Sequence, residues 1–187
     1  MWSTTTFEAF HGTTLAAAES ILRDGFKQSE RDYDWLGDGV CFFQDGPYRA
    51  REWALNWAVR PYRGEAAVVG ATIRLERATL MDLIDIRWCD WLKRFYEGYV
   101  KDREFHNKAI PKQRPHTSGA HRLDCQVVNE AVIYWRKKRQ PISAVRGAFE
   151  EGDRVYPTSA FYDRAHVQIA IRDLSLVNNA WIEQDIE

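Results

Sequence analysis

At 187 residues, with 45% hydrophobic and 28% charged side chains, the chain can bury one core and is too short for two comfortable domains. Its 26 Lys and Arg against 27 Asp and Glu leave a formal charge of -1, which argues against a polyanion or a membrane surface as partner of the molecule as a whole, so any basic surface has to be local. Three cysteines without Cys-x-x-Cys spacing, no apolar run near the about 20 residues of a membrane span, and a Met1-Trp2-Ser3-Thr4 start unlike a signal peptide point to one domain, 1–187, in the reducing cytoplasm.

Residues 4–10 combine β-branched and aromatic side chains and predict a short strand that delivers His11 at its end. Thr13 or Thr14 can cap the next helix, in which Leu15, Ala18, Ile21 and Leu22 recur at three and four, and Gly25 reads as a left-handed stop. His11 then sits at a strand-to-helix junction, where unpaired backbone amides favour a negatively charged or carbonyl-bearing ligand. An imidazole followed by Gly12 also sets a polar group beside open backbone, although a His that only caps the fold would give the same tripeptide. Residues 27–38 are charged and without period, hence a loop; Tyr33 and Trp35 in it either close over a ligand or pack on their own domain.

Gly39-Val40-Cys41-Phe42-Phe43-Gln44 reads as a short hydrophobic strand. Pro47 opens a helix with an aromatic and alanine face, Tyr48, Ala50, Trp53, Ala54, Trp57 and Ala58, expected mostly in the core. Residues 66–75 read as a central strand, with 79–83 as a continuation after a turn. Residues 87–139 differ from their surroundings: thirteen Lys and Arg against six Asp and Glu give +7, leaving -8 for the rest of the chain. Trp88, Trp91, Phe95, Tyr96, Tyr99 and Phe105 interleave with these charges at helical spacing. The segment is therefore a basic, aromatic helical insert, either a solvated face over a packed one or a platform for phosphates and stacked bases. Residues 109–122, with Pro111, Pro115, Ser118 and Gly119, read as a loop, and His106, His116 and His121 around it lack the spacing of a metal site, so no metal is expected.

A helix over 124–139, a strand over 142–149 and a turn at 150–153 follow. In the last apolar strand, His166-Val167-Gln168-Ile169-Ala170-Ile171-Arg172, alternation puts Gln168 on the face opposite Ile169 and Ile171.

His11-Gly12-Thr13, a helix ending in Gly25-Phe26, the Gly39-Val40-Cys41-Phe42-Phe43 strand and this last strand resemble, in their order, the ADP-ribosyltransferases of the diphtheria-toxin and PARP type. Their signature is His, Tyr and Glu on three strands; here Cys41 stands where the Tyr is expected and Gln168 where the Glu is. The resemblance implies a mixed α/β (α+β) fold, a split and twisted pair of small sheets with flanking helices, binding NAD as substrate in the cleft between them. It implies that His11 holds the adenosine-side ribose, that Gly12 grips the nicotinamide carboxamide through its backbone with Thr13 in support, and that Gln168 orients the second ribose. Cys41, Phe42 and Trp53 would wall the nicotinamide; a thiol has no π-face, so stacking from Phe42 or Phe43 depends on strand register. The loop at 27–38 would cover the NAD, and Tyr156, Phe161, Tyr162 and Arg164 would face the target.

An amide in place of the carboxylate keeps a hydrogen bond but loses charge at the developing oxocarbenium centre, unless Glu52, Asp163 or Glu130 substitutes in space. The implied activity is mono-ADP-ribosyl transfer to a macromolecule, in the manner of a toxin, and leaves room for an inhibitory, antitoxin-like protein partner. The concentrated positive charge ranks nucleic acid, RNA or single-stranded DNA, ahead of protein as acceptor. The alternatives are a protein-directed transferase, an NAD glycohydrolase, a catalytically silent nucleotide-binding module, or a nucleic-acid-binding domain without chemistry.

Overall fold

The computed structural model describes residues 3–58, 64–112 and 120–184, excluding the side chains of residues 57 and 58. Pro115, His116, Ser118 and Gly119 of the expected loop, and the Trp57 and Ala58 side chains, thus lie outside the described residues. The architecture is mixed α/β: β1 (Thr4–Thr14), α1 (Leu15–Asp24), β2 (Val40–Gln44), α2 (Pro47–Ala58), β3 (Ala66–Glu76), β4 (Leu80–Asp82), α3 (Ile86–Phe105), α4 (Arg122–Lys137), β5 (Ala144–Phe149), β6 (His166–Ile171) and β7 (Val177–Ile182). The strands form one seven-stranded sheet in the order β4-β5-β6-β2-β1-β3-β7, with β4 and β5 parallel and the other neighbours antiparallel.

β1 runs well past the expected end at residue 10, because it pairs with β3 without a break from Thr4↔Glu76 to Thr14↔Ala66. His11 is consequently inside a strand, and the helix start falls at Thr14, whose side chain accepts a hydrogen bond from the Ala17 amide at 3.3 Å. Gly25 ends α1 with φ 82 and ψ 169, a glycine conformation outside the left-handed helical region expected for it. On its other edge β1 pairs with β2 only at Ala9↔Gln44 and Phe10↔Phe43. This is the narrowest junction in the sheet, and it joins β4-β5-β6-β2 to β1-β3-β7.

Gly12 explains where α2 sits. A Cβ at that position would overlap the Ala50 carbonyl oxygen and lie 3.1 Å from the Ala54 nitrogen, so helix backbone rests directly on the strand. Ala50 and Ala54 are fully buried there, whereas Tyr48 and Trp53 are 68% and 46% exposed. Ala50 and Ala54 form the inner face of the helix as expected, whereas Tyr48 and Trp53, expected with them mostly in the core, point outward.

Strand alternation separates two cores. Ala9, Phe42, Ile73, Ile169 and Ile171 pack on one side of the sheet with Phe26, and Met81, Val145 and Ala170 pack on the other with Val128 and Ala131 of α4. Trp88, Trp91 and Phe95 of α3 belong to this second core: Trp91 lies 5.2 Å from Trp135 and Phe95 5.7 Å from Tyr134 between ring centroids. Half of the aromatic stripe is thus spent on helix packing, and Tyr99 is 8% exposed, leaving Phe105 and Tyr96 open at 85% and 37%. Among the described residues no helix is long and apolar enough to cross a membrane.

Candidate functional site

Immediately after Phe10↔Phe43 the ladder between β1 and β2 stops, and the next residue of β1 is His11. Its Nδ1 lies 2.8 Å from the Cys41 carbonyl oxygen, so the imidazole bridges the two strands where backbone pairing ends. A carbonyl oxygen only accepts; Nδ1 therefore carries the proton and donates, and Nε2 of the neutral ring is left as an acceptor. Phe26 and Phe42 flank the ring at 5.8 and 5.9 Å between centroids. Burial lowers the His11 pKa below its usual 6.5, the Cys41 carbonyl works in the opposite direction, and Arg31 adds a smaller lowering. The imidazole is neutral at pH 7, and among the described residues its Nε2 has no hydrogen-bond partner.

Cys41 contributes that carbonyl and little else. Burial, with a smaller contribution from Asp34, pushes its thiol up to about 12, which removes it as a nucleophile at neutral pH. Register decides between the two phenylalanines. Phe42 pairs with Ile169 and is fully buried against His11, whereas Phe43 pairs with Gln168 and shares its side of the sheet. Phe42 is therefore a core residue beneath His11, and Phe43 is the ring beside the amide. Gly12 and Thr13 continue the β1–β3 ladder opposite Val68 and Ala67, and α2 fills the space over Gly12 that was expected to admit a ligand.

Gln168, on β6, has its Nε2 3.0 Å from His166 Nε2. The His166 ring stacks on Phe149 with centroids 5.6 Å apart and meets Phe43 edge-on at 5.0 Å. Ion pairs ring this group: Arg49 to Glu52 at 3.2 Å, Arg164 to Glu52 at 2.6 Å, and Arg49 to Glu151. They tie α2 to the segment between β5 and β6. Of the three carboxylates expected as possible substitutes for a charge at Gln168, Glu52 stands in this network; Asp163 is engaged by the Asp153 amide at 2.9 Å, and Glu130 lies on α4. Trp53 is on the same side, its ring 6.5 Å from Phe43.

The segment between β5 and β6 is an ordered hairpin. The Val155 amide donates to the Phe161 carbonyl at 3.0 Å, and the buried Ser159 hydroxyl accepts from the Phe161 amide at 3.0 Å. It presents Tyr156 and Phe161 at 56% and 69% exposure, while Arg154 covers the Tyr162 ring and Arg164 is held by Glu52. The loop before β2 is anchored as well. Leu36 is 2% exposed, Trp35 packs 4.6 Å from Phe149 and 3.9 Å from His121, and the Asp38 amide donates to Asn129 Oδ1 at 2.9 Å. Trp35 is thus a packing residue of its own domain.

His11 and Gln168 do not stand on one side of the sheet. The imidazole joins Phe26 and Phe42 on the Ile169 side, and the amide is on the Ala170 side, so the two flank the parting of β1 and β2 from opposite directions. A groove of about 670 Å3 lined by Phe149, Ala165, His166 and Val167 adjoins the second of these positions. Another, of about 460 Å3, lies at the Thr4 end of the sheet against Arg74, Asp173 and Asn178. Among the described residues no cluster of three or more His, Cys, Asp or Glu could hold a metal. His166, Arg49 and Glu151 were not singled out from sequence; the place of His166 two residues before Gln168 on one strand face was the available signal. No protein-family model, curated protein or solved structure matches the chain.

Proposed function

We propose that this protein is a mono-ADP-ribosyltransferase that moves ADP-ribose from NAD to a macromolecule and releases nicotinamide. The observation that carries the reading is the His11 imidazole, bound through Nδ1 to the Cys41 carbonyl where the pairing of β1 and β2 ends, with Nε2 without a hydrogen-bond partner among the described residues. A neutral, fixed acceptor nitrogen where the pairing of two strands ends suits a ribose hydroxyl, which donates to it without having to displace an internal partner. The narrow junction supports a core of two small sheets splayed around the ligand.

In this reading NAD, which carries two riboses joined by a pyrophosphate, spans the opening. His11 receives the adenosine-side ribose, and Gln168 on the other side receives the nicotinamide ribose. Phe43 and Trp53 supply the apolar wall there in place of Phe42 and the Cys41 side chain. As the glycosidic bond breaks, nicotinamide leaves with the electron pair and the ribose carbon becomes electron-poor. The Gln168 carbonyl oxygen offers it a partial negative charge, and the acceptor nucleophile then forms the new bond and gives up its proton to water. Tyr156, Phe161, Tyr162 and Arg164, on the hairpin tied to α2, face that acceptor. A catalytically silent nucleotide-binding module is the second reading, favoured by the placement of His11 and Gln168 on opposite sides of the sheet.

The acceptor class rests on charge. Arg136, Lys137, Lys138 and Arg139 are all exposed at the end of α4, within the +7 segment. They suit a polyanion in the cytoplasm, RNA or single-stranded DNA ahead of protein, with an inhibitory protein partner as a further expectation. Incubation with adenylate-labelled NAD and separate pools of RNA and cell protein should label the RNA, with labelling falling steeply as salt rises. Reversal of all four residues to Glu should reduce RNA labelling more than nicotinamide release. Undiminished RNA labelling by the reversed variant, with loss of a protein acceptor instead, would identify the patch as a protein interface.

A further inference from the structure

Gln168 can turn its amide either way in a β-strand, and the two orientations are chemically opposite: one offers a carbonyl oxygen to a ligand, the other an NH2. The neighbours decide between them. His166 Nδ1 lies 2.7 Å from the Arg164 carbonyl oxygen, which can only accept, so Nδ1 bears the proton. In the neutral ring Nε2 is then bare, and the atom 3.0 Å away on Gln168 has to be a donor, the Nε2 amide. Oε1 is left without a partner among the described residues and is the atom that Gln168 has for a ligand. The imidazole is itself fixed by Phe149 stacked at 5.6 Å and by Phe43 at 5.0 Å, so it is a rigid reference for the amide.

We propose that His166 is the positioning residue of the site: by accepting from the Gln168 NH2 it holds the Gln168 carbonyl oxygen outward, and its protonation reverses the amide and turns an acceptor site into a donor site. The inference rests on the ADP-ribosyl-transfer reading for its consequence, since an outward oxygen favours an electron-poor ribose carbon and an outward NH2 opposes it. The hydrogen-bond logic itself is independent of that reading. It also gives the substitution of Glu by Gln a physical partner in this chain. A carboxylate is symmetric and would need no neighbour to orient it, whereas an amide does.

The charges facing His166 are Arg49 and Glu52 from α2 and Glu151 from the turn after β5; the Arg164 side chain is paired with Glu52. Burial is the main influence and lowers the pKa of His166 below 6.5. The Arg164 carbonyl raises it, Arg49 lowers it, and the two glutamates raise it. His166 is therefore neutral at pH 7. The acceptor orientation should prevail at neutral pH and above and be lost as pH falls through the lowered pKa.

The test is a nitrogen-15 NMR titration of the whole chain. At pH 7.5 or so His166 should be the Nδ1–H tautomer with Nε2 unprotonated. On acidification the His166 ring and the Gln168 side-chain NH2 should move together with one midpoint below 6.5. In His166→Phe, which retains an aromatic ring against Phe149 and Phe43, the Gln168 resonance should stop responding to pH. An Nε2–H tautomer, or a Gln168 amide indifferent to His166 protonation, overturns the inference. In parallel, kcat for nicotinamide release should fall below the same midpoint. His166→Phe should abolish that acid limb and lower kcat at neutral pH about three- to tenfold, with KM for NAD within about twofold. An intact NMR response in a protein that releases no nicotinamide at any pH upholds the positioning and refutes ADP-ribosyl transfer; a missing response in an active enzyme does the reverse.

Discussion

Gln168→Ala should lower nicotinamide release from NAD by on the order of a hundred- to a thousandfold, the cost typical of removing one preorganised electrostatic contact from a transition state. The side chain is partly exposed on β6 and, among the described residues, its only polar contact is with His166, so the melting temperature should hardly move. Gln168→Glu is the informative companion. On the proposed reading it places full charge opposite the ribose and frees the position from its need for an oriented amide, so release should equal or exceed that of the parent. If the alanine variant works as well as the parent, another group carries the charge, and Glu52, paired with Arg164, and Glu151, both of which act on His166, are the carboxylates to test next.

Gly12→Ala should strongly destabilise the fold. The added Cβ would meet helix backbone, Ala50 O and Ala54 N, rather than the end of a flexible side chain, so either α2 or β1 has to move. Overpacking of this kind costs about 1–3 kcal/mol and here belongs at the upper end, a fall in melting temperature of roughly 5–10 °C for a chain of this length. Gly98, in α3 with nothing within 4 Å of a Cβ, is the control. There alanine should stabilise by about 0.5–1 kcal/mol through helix propensity. An unchanged melting temperature for Gly12→Ala, measured by circular dichroism, would mean that α2 does not rest on β1 and that the glycine is open to a ligand instead.

Much of the fold was legible because local rules agreed with one another. The 3.6-residue stripe of Leu15, Ala18, Ile21 and Leu22 gave α1, and period-two alternation gave the two faces of β6 correctly, with Ile169 and Ile171 in one core and Ala170 in the other. What failed depended on partners distant in sequence. The length of β1 is set by β3 more than fifty residues later, and nothing in residues 11–14 announces that pairing. Tyr48 and Trp53 read as core by composition, yet Gly12 brings the helix so close that only the alanines Ala50 and Ala54 fit beneath it. The Trp88, Trp91 and Phe95 stripe gave the helical period but not its occupant, which is Tyr134 and Trp135 of α4 rather than nucleic-acid bases.

The candidate site was legible to the same extent. His11 and Gln168 could be singled out as polar residues at chosen places in apolar strands. Whether Phe42 or Phe43 stands beside Gln168 is a matter of register, and register between β2 and β6 is invisible without coordinates. The orientation of Gln168 by His166 follows from two residues on one strand face, but the Arg164 carbonyl that fixes the tautomer appears only when the chain is folded.

Nicotinamide release from NAD by the purified chain, measured beside His11→Asn, tests the central claim most directly. Asparagine can still donate to the Cys41 carbonyl and keep the strands bridged, but it removes the Nε2 acceptor at the opening. The parent should release nicotinamide, and His11→Asn, folded by circular dichroism, should release it on the order of a hundredfold more slowly, because a ribose no longer held misplaces the scissile bond. A folded parent that binds NAD without releasing nicotinamide, or an asparagine variant as active as the parent, would contradict the account.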